Sequence, residues 1–378
     1  MTAESSAAAA LLWAGVRPDP DHDAVAAALA SDQDAARHAA GAAIAQRVAP
    51  LLWRAVAPLV DASTSWARDL AADAARCATQ ARLVLPRLGA LGLQPLADAG
   101  LEPLVWKGAA LVERYPAPGL RPMDDVDVVV APDRVDDAVR VLRDGGWTPL
   151  PVRGDDHHDI AFAHPDVPGL PLELHRELTT ARERSHRLSA AELWRRRVPQ
   201  SIAGADVYGL PAEDELVAIA AHAAKPFHVY ARLLWSVDLA VVARDTTIDW
   251  DRVAAIAARA RARTALAVGL THARWLGAAV PPALCVPPAT GWRRAALRPV
   301  LDREWPMVER DDGVRNRLRY ALVDDRRLQV GLLVSSIDGW RTGLGTASRA
   351  WRRWRQLRLP RRDGASGQQR HDVVQPRR

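Results

Sequence analysis

The hydrophobic pattern of the chain changes its period twice, near residue 100 and near residue 210. Before the first change and after the second, apolar residues recur at the i, i+3 and i+4 spacing of helices. Between the two changes, short apolar runs alternate with turns that contain glycine and charged residues, which is typical of strands in a small α/β unit. We therefore predict an α+β fold in which a small mixed sheet with helices is flanked by N-terminal and C-terminal helical subdomains.

These changes divide the chain into predicted segments. Residues 1–95 form a helical N-terminal subdomain, 96–210 an α/β core, 211–340 a helical C-terminal domain, and 341–378 a basic tail whose end we expect to be disordered. The flanking helices are predicted at 21–30, 32–46, 62–84, 212–224, 230–243, 250–262 and 264–276. Strands are predicted at 104–106, 126–130, 147–152, 159–163, 170–175 and 206–210, with helices at 109–114 and 132–143.

Positive charge is concentrated at the C-terminal end. Residues 341–378 hold eleven Arg and two Asp, a net charge of +9, whereas the rest of the chain carries −3. The overall charge of +6 is therefore no argument for nucleic-acid binding by the body of the protein. In segment 350–359, Trp351, Trp354 and Leu357 lie opposite a run of Arg. This segment either packs on the body, which we favour, or is a basic amphipathic helix for an anionic membrane or nucleic acid.

Cysteine usage and hydropathy exclude other classes of protein. Cys77 and Cys285 are the only cysteines and form no C-x-x-C pair, so neither a disulfide scaffold nor a thiolate zinc site is expected. Charged residues interrupt the long apolar runs, so no transmembrane helix is expected. The acidic start of the chain is unlike a secretory signal, and we expect a cytoplasmic protein.

Asp125 and Asp127 lie at the start of a strongly apolar run. On a strand, residues i and i+2 share a face, so both carboxylates would project together while Val126 and Val128 face the core. Like charges at this separation disfavour joint ionisation unless a cation compensates, and carboxylate oxygens favour Mg²⁺. The alternative for this pair alone is a solvated strand edge.

Lys107 and Gly108 lie at the predicted junction between the first strand and a helix. Backbone N–H groups at such a junction can bind an anion, and Gly108 would allow the backbone to approach a phosphate closely. The alternative is an ordinary β–α turn. Lys107 and Lys225 are the only lysines, beside 49 arginines. A lysine in such a chain indicates a position where a compact ammonium is required, although GC-rich codon usage also explains the excess of arginine.

Glu173 and His175 would share one face of a later strand, with Leu172 and Leu174 on the other. Glu173 would thus deliver a third carboxylate from a neighbouring strand and complete a site of three acids. The alternative is an exposed acid on a strand.

Other polar residues offer weaker signals. His157 and His158 are expected in a loop, where they could contact a substrate if a metal site lies near. His222 is expected to be a buried core histidine with its hydrogen bonds satisfied. Lys225 precedes the helix-breaking Pro226, so its ammonium could face a cleft between domains.

The order of these elements resembles that of a known fold. The segments LVWKGAALVERYPAPGLRPMDDVDVVV (104–130), HHDIAFAH (157–164) and LELH (172–175) resemble the nucleotidyltransferase fold of the DNA polymerase β superfamily. Within that superfamily the chain resembles the uncharacterised nucleotidyltransferases. The helical segments 213–240 and 248–250 resemble the part that follows, so that the resemblance covers residues 40 to 280.

The resemblance implies an enzyme that moves a nucleoside monophosphate from an NTP, with ATP expected, to an unidentified hydroxyl acceptor. Asp125 and Asp127 would hold Mg²⁺ on the triphosphate. Glu173 would bind a second Mg²⁺ and help to activate the acceptor, since two ions can clamp the attacking and leaving oxygens. The backbone at Gly108 and Ala109 would cradle the β and γ phosphates.

The chain departs from the superfamily pattern at Ala109, where the wider superfamily has Ser after the glycine. No hydroxyl at this position would reach the phosphates, and Lys107 and Arg121 would supply positive charge instead. The alternative to an enzyme is a non-catalytic protein that keeps the fold to bind a nucleotide or a partner. Intact Asp125, Asp127 and Glu173 argue against this alternative, whereas Ala109 leaves room for it.

Overall fold

The computed structural model describes residues 3–151, 158–180, 184–307 and 311–332, and its sheet is built from strands within these ranges. The strands are β1 (Leu104–Val105), β2 (Val126–Val129), β3 (Thr148–Pro149), β4 (Asp159–Ala163), β5 (Leu172–His175), β6 (Val198–Ile202) and β7 (Ala205–Gly209). Their order across the sheet is β3-β4-β5-β2-β1-β7-β6. β2 pairs with β5 and β1 with β7 in parallel, and the other neighbours are antiparallel. The predicted small mixed sheet is therefore confirmed.

Helices precede and follow the sheet in the chain. Those before it are α1 (Ala3–Gly15), α2 (His22–Ser31), α3 (Gln33–Ala45), α4 (Ala49–Val56), α5 (Ser65–Thr79), α6 (Leu85–Leu88) and α7 (Gln94–Asp98). Between strands lie α8 (Val135–Asp144) and α9 (Ala190–Arg195). After the sheet come α10 (Ala212–Ala223), α11 (Leu233–Val242), α12 (Trp250–Arg259), α13 (Arg263–Trp275), α14 (Gly291–Leu297) and α15 (Asp312–Ala321). The α+β class is confirmed, and no helix in the described part of the chain is long and apolar enough to cross a membrane.

Each predicted flanking helix has a counterpart, but the segment 109–114 differs from its prediction. It is a 3₁₀ helix over Gly108–Arg114 rather than an α-helix. The strand β6 was not predicted, because VPQSI contains Pro199 and two polar residues and lacks apolar alternation. Such a sequence is tolerated because β6 is an edge strand, where a missing backbone donor can face solvent.

The helical stretch from α5 to α7 packs closely against the sheet. It contains two π-helical segments, Gln80–Val84 and Gly89–Leu93. In the second, the indole N–H of Trp147 donates to the carbonyl oxygen of Leu91 at 2.9 Å. A Cβ atom at Gly89 would collide with the carbonyl of Ala203, so a larger residue there would push the helix away from the loop between β6 and β7.

Side chains of the central strands alternate between two apolar clusters. Val126, Val128, Leu172 and Leu174 belong to one cluster, whereas Val129 belongs to another with Leu104 and Trp106. Because successive side chains on a strand point to opposite faces, Asp127, Glu173 and His175 lie on the face of Val129. The sheet thus presents its polar residues on one face near the middle strands.

The described residues belong to one compact unit that ends at Leu332. The domain boundaries at 95/96 and 210/211 stay predictions. The tail 341–378, with its Trp and Arg segment 350–359, lies outside the described residues.

Candidate functional site

The register of β2 against β5 brings two of the predicted acids together. Asp127 pairs with Glu173, and Val129 pairs with His175. Asp127, Glu173 and His175 each offer one possible ligand atom, and these atoms lie within 4.8 Å of one another. Asp127 is 1% exposed and Glu173 26%. The result is a mostly buried group of two carboxylates and one imidazole.

His175 is the residue at this site to which the sequence assigned no role. Its Nε2 lies 2.7 Å from Asp127 Oδ1 and 3.8 Å from Glu173 Oε2, and its Nδ1 lies 3.3 Å from the carbonyl oxygen of Glu177. Carboxylate and carbonyl oxygens only accept, so His175 can donate to both only as an imidazolium. Although burial opposes the charged form, the hydrogen bond to Asp127 and the charge of that carboxylate raise the pKa of His175. His175 is therefore placed to orient the Asp127 carboxylate, and its raised pKa favours the positively charged form.

Asp125 precedes β2 by one residue and belongs to the same electrostatic group. Burial and the charge of Asp127 raise the pKa of Asp125, although Lys107 opposes the shift. The charge of Asp125 in turn acts on Glu173. Its place as a metal ligand stays a prediction.

Lys107 forms an ion pair with one of these carboxylates. Its Nζ is 2.5 Å from Asp127 Oδ2, and its side chain is 12% exposed. The ammonium also lies 5.2 Å from the ring centroid of Trp106, within the range of a cation–π contact. Although burial opposes the charged form, Asp127 and Asp125 hold the pKa of Lys107 above its usual value. The predicted phosphate ligand thus has a carboxylate as its ion-pair partner in the structure.

The acids of this group shift one another's pKa values. Burial, with the charges of Asp125 and Asp127, raises the pKa of Glu173 to about 8. Although burial also penalises the charged form of Asp127, Lys107 and His175 hold the pKa of Asp127 well below its usual value. Among the described residues, Asp125, Asp127 and Glu173 lie with Lys107 and His175; if all three acids were ionised, negative charge would be in excess in this set, and either a proton on Glu173 or a divalent cation corrects that excess.

These residues fit a divalent cation. Asp127 Oδ2 is buried, and its partner within the described residues is the Lys107 ammonium at 2.5 Å. Carboxylate oxygens suit Mg²⁺ or Mn²⁺, whereas an imidazole ligand would favour Zn²⁺. Because His175 Nε2 already contacts Asp127, the oxygens of Asp127 and Glu173 are the donors best placed for a metal.

The turn after β1 has an unusual backbone. Lys107 has φ +47° and ψ −160°, and Gly108 has φ +38°. A Cβ atom at Gly108 would meet nothing closer than Arg121 Nη1 at 3.6 Å, so glycine is needed there for its positive φ rather than for space. The N–H of Lys107 donates to Glu215 Oε1 at 3.0 Å. Ala109 is 4% exposed within the apolar cluster of Val126, which accounts for an apolar residue where the wider superfamily has Ser.

Arg121 lies behind this turn in a buried ion pair. Its Nε and Nη2 donate to the two carboxylate oxygens of Asp238 at 3.1 and 2.8 Å, and its Nη1 donates to the carbonyl of Pro122 at 2.9 Å. Tyr115 donates its hydroxyl to Asp238 at 2.6 Å. Each nitrogen of the guanidinium thus has a protein partner, so the contacts of Arg121 are structural, and its predicted role toward phosphate stays a prediction.

The remaining predicted residues lie around the site. His157 is outside the described residues, and His158 lies with its ring 5.6 Å from that of His175. His222 packs against Trp106 and Trp235, but its buried Nδ1 has no hydrogen-bond partner among the described residues. The prediction that the hydrogen bonds of His222 are satisfied is therefore wrong. Lys225 donates to the carbonyl of Leu178 at 2.6 Å, just after β5.

Sequence reasoning missed Glu215, which accepts the N–H of Lys107 in the turn, and Asp238, which pairs with Arg121; both lie on helices after the sheet. Both lie in predicted helices, and both are buried acids, at 2% and below 1% exposure. An acid at a position where the helix pattern predicts an apolar residue is the signal that would have found Asp238, because its neighbours Val237 and Leu239 are also buried. Glu215 offers no such signal, because it follows Glu213 and Asp214 at the acidic start of α10.

The family described as uncharacterised nucleotidyltransferase matches residues 32–277. The match covers more than half of the chain and includes the Lys107–Gly108 turn, Asp125, Asp127 and Glu173. Neither the curated proteins nor the solved structures gave a match to this chain. The predicted resemblance is confirmed, and the chain belongs to the uncharacterised nucleotidyltransferase family.

Proposed function

We propose that this protein is a Mg²⁺-dependent nucleotidyltransferase that transfers a nucleoside monophosphate from an NTP to a hydroxyl acceptor. The observation that carries the proposal is the parallel register of β2 and β5, which sets Asp127 beside Glu173. Membership of a nucleotidyltransferase family supports the reaction class. ATP is the expected donor, and the expected location is the cytoplasm. The acceptor is unknown; a small molecule or a protein is favoured over nucleic acid.

Asp125, Asp127 and Glu173 are the residues that would hold the metal, with two ions expected. When bound, divalent cations stabilise negative charge on the triphosphate and help to activate a hydroxyl nucleophile. His175 keeps one oxygen of Asp127 in a fixed direction through its 2.7 Å contact. Such support of a ligand by a second residue preserves the shape of a metal site.

The turn after β1 is assigned to the phosphates. Gly108 and Ala109 would present backbone groups to the β and γ phosphates, and the ammonium of Lys107 would add positive charge beside them. Arg121 would contribute at longer range from behind the turn, since Asp238 already pairs with it. The burial of Lys107 and Asp127 reduces the screening of these charges by water.

One observation favours the alternative of a non-catalytic nucleotide-binding or partner-binding protein. The Lys107–Asp127 ion pair, at 2.5 Å, partly neutralises the carboxylates without a metal. A protein that used this pair permanently would bind nucleotide and transfer nothing.

Radiolabel transfer separates the two functions. Purified protein is incubated with Mg²⁺, a cell extract, and ATP labelled on either the α or the γ phosphate. Nucleotidyl transfer predicts that label from the α position, and not from the γ position, appears in an acceptor. The Asp127→Asn variant is the matched control, because it keeps the shape of the side chain and removes its charge. Equal labelling by the variant, or none by the wild type with any NTP, would contradict the proposal.

A further inference from the structure

Glu215 reaches the proposed phosphate turn from a distant part of the chain. It lies on α10 and is separated from Lys107 by 108 positions in sequence. Its side chain is buried, with 2% exposure, and its Oε1 accepts the backbone N–H of Lys107 at 3.0 Å. The contact therefore joins the helical part after the sheet to the first residue of the turn.

The turn needs such a contact because its conformation is unfavourable. Lys107 adopts φ +47° and ψ −160°, a combination that residues other than glycine rarely adopt. A residue in such a region persists only where the surroundings enforce it, and these positions concentrate at functional sites. Buried backbone N–H groups also almost always have an acceptor. The Glu215 carboxylate meets both needs.

The direction of the Lys107 side chain depends on this backbone. Two successive positive φ angles, at Lys107 and Gly108, turn the chain sharply between β1 and the 3₁₀ helix. From this turn the Lys107 ammonium reaches Asp127 Oδ2 at 2.5 Å. A more common backbone conformation at Lys107 would redirect its side chain away from the carboxylate.

We propose that Glu215 is a positioning residue: by accepting the N–H of Lys107, it holds the strained turn that directs the Lys107 ammonium onto Asp127 and the Gly108 backbone toward a phosphate. The claim that the Gly108 backbone faces a phosphate rests on the proposed function. The control of Lys107 by Glu215 does not, because it follows from contacts within the chain.

Chemical labelling can report the position of Lys107 directly, because the chain has only two lysines. Native protein is treated with an acetylating reagent in limiting amount, and mass spectrometry follows acetylation of Lys107 relative to Lys225. In the wild type, the buried ion pair should make Lys107 react slowly. Loss of the Glu215 acceptor should raise the ratio of Lys107 to Lys225 labelling by about tenfold, since the hydrogen bond that holds the turn is lost.

Three variants separate positioning from general stability. Glu215→Ala removes the acceptor, and Glu215→Met removes it while filling the space. Glu215→Gln keeps an oxygen that can accept the N–H, so it should retain the wild-type labelling ratio. Glu213→Ala is the control on the same helix, because Glu213 accepts the N–H of Asp249 instead and should leave Lys107 unaffected.

The outcomes are distinguishable. A wild-type ratio in folded Glu215→Ala or Glu215→Met would overturn the inference. If both variants fail to fold, hydrogen exchange of the wild-type Lys107 amide decides: protection like that of core amides supports the contact, and exchange like that of an exposed loop overturns it. Failure of the nucleotidyl-transfer experiment alone would leave these labelling results standing, so the two proposals fail separately.

Discussion

Two polar clusters near the segment that follows β1 differ in their charges. The carboxylate cluster consists of Asp125, Asp127, Glu173, Lys107 and His175. The clamp cluster consists of Tyr115, Arg121 and Asp238. In the clamp cluster one carboxylate meets one guanidinium through two hydrogen bonds, at 3.1 and 2.8 Å, and the charges balance. In the carboxylate cluster the acids outnumber Lys107 and His175, and burial with the charges of Asp125 and Asp127 raises the pKa of Glu173 to about 8.

The difference predicts that the clamp cluster is structural and that the carboxylate cluster is functional. A buried ion pair with matched charges and satisfied hydrogen bonds is complete without a ligand. A buried group with excess negative charge is unfavourable by itself, and such groups are typical of sites that bind a cation. The two clusters therefore predict opposite responses to the same kind of substitution.

The largest effect is expected at Asp127. Asp127→Asn should leave the fold intact and lower nucleotide transfer by roughly a thousandfold or more, because metal charge stabilisation is worth several kcal/mol. Thermal melts with and without Mg²⁺ and ATP provide a second measurement. If the variant keeps the full stabilisation by Mg-ATP, Asp127 is not a metal ligand, and the carboxylate cluster loses its proposed role.

At Asp238, in contrast to Asp127, we expect a substitution to reduce the stability of the fold. Asp238→Ala should destabilise the fold by about 3–5 kcal/mol, because Arg121 becomes a buried charge without its partner. Urea unfolding measures the change. The double variant Arg121→Met with Asp238→Leu should recover much of the lost stability, since it removes both charges together. A single variant as stable as the wild type would mean that the clamp cluster is not structural.

Substitution of Lys107 tests how far the protein's own positive charge, rather than a metal, neutralises the carboxylate cluster. Lys107→Ala should reduce kcat/KM for the NTP by about ten- to a hundredfold, which corresponds to roughly 1.5–3 kcal/mol. Lys107→Arg should reduce it less but noticeably, because a planar guanidinium does not replace a compact ammonium. Steady-state kinetics on both variants gives the comparison. Wild-type values in Lys107→Ala would show that this lysine takes no part in nucleotide use.

Glu215 interacts with residues of both clusters, and its burial leads us to expect that the stability of the fold depends on pH. Burial raises the pKa of Glu215 to about 7, although the Lys107 N–H, Arg114 and Arg121 favour its charged form, and Asp238 opposes it. The folded state then binds the proton more tightly than the unfolded state, so stability should fall as pH rises from about 4.5 to 7. The loss should be on the order of 1–3 kcal/mol. Glu215→Gln should make this dependence shallower in unfolding curves recorded across the range, while the raised pKa of Glu173 still contributes a dependence of the same sign. An equally steep dependence in the variant would assign it elsewhere.

Local rules account for much of the sheet and for part of the site. Because side chains alternate along a strand, Asp127 points to the opposite face of the sheet from Val126, and Glu173 to the opposite face from Leu172. Val126 and Leu172 do lie together in one apolar cluster, as this alternation predicts. The register that pairs Asp127 with Glu173 depends on how β2 and β5 meet, and nothing within either strand specifies it.

Long-range contacts explain what the sequence did not reveal. Glu215 and Lys107 are 108 positions apart, and helical periodicity alone does not show which residue of α10 reaches the turn. The 3₁₀ helix at Gly108–Arg114 was predicted as an α-helix, because a segment this short shows too few turns to distinguish the two. Propensity and pattern describe an element, whereas packing decides its final geometry.

The smallest effect is expected from removal of the tail. Both clusters lie within the unit that ends at Leu332, and the tail carries +9 while the rest of the chain carries −3. A chain that ends at residue 342 should therefore fold and transfer nucleotide at the wild-type rate, within about twofold at physiological salt, where charges beyond roughly 8 Å are screened. Rates at low and high salt, with unfolding curves of both chains, check the expectation. Loss of folding would identify Trp351 and Trp354 as anchors of the core, and a loss of activity that salt restores would connect the tail charge to the carboxylate cluster.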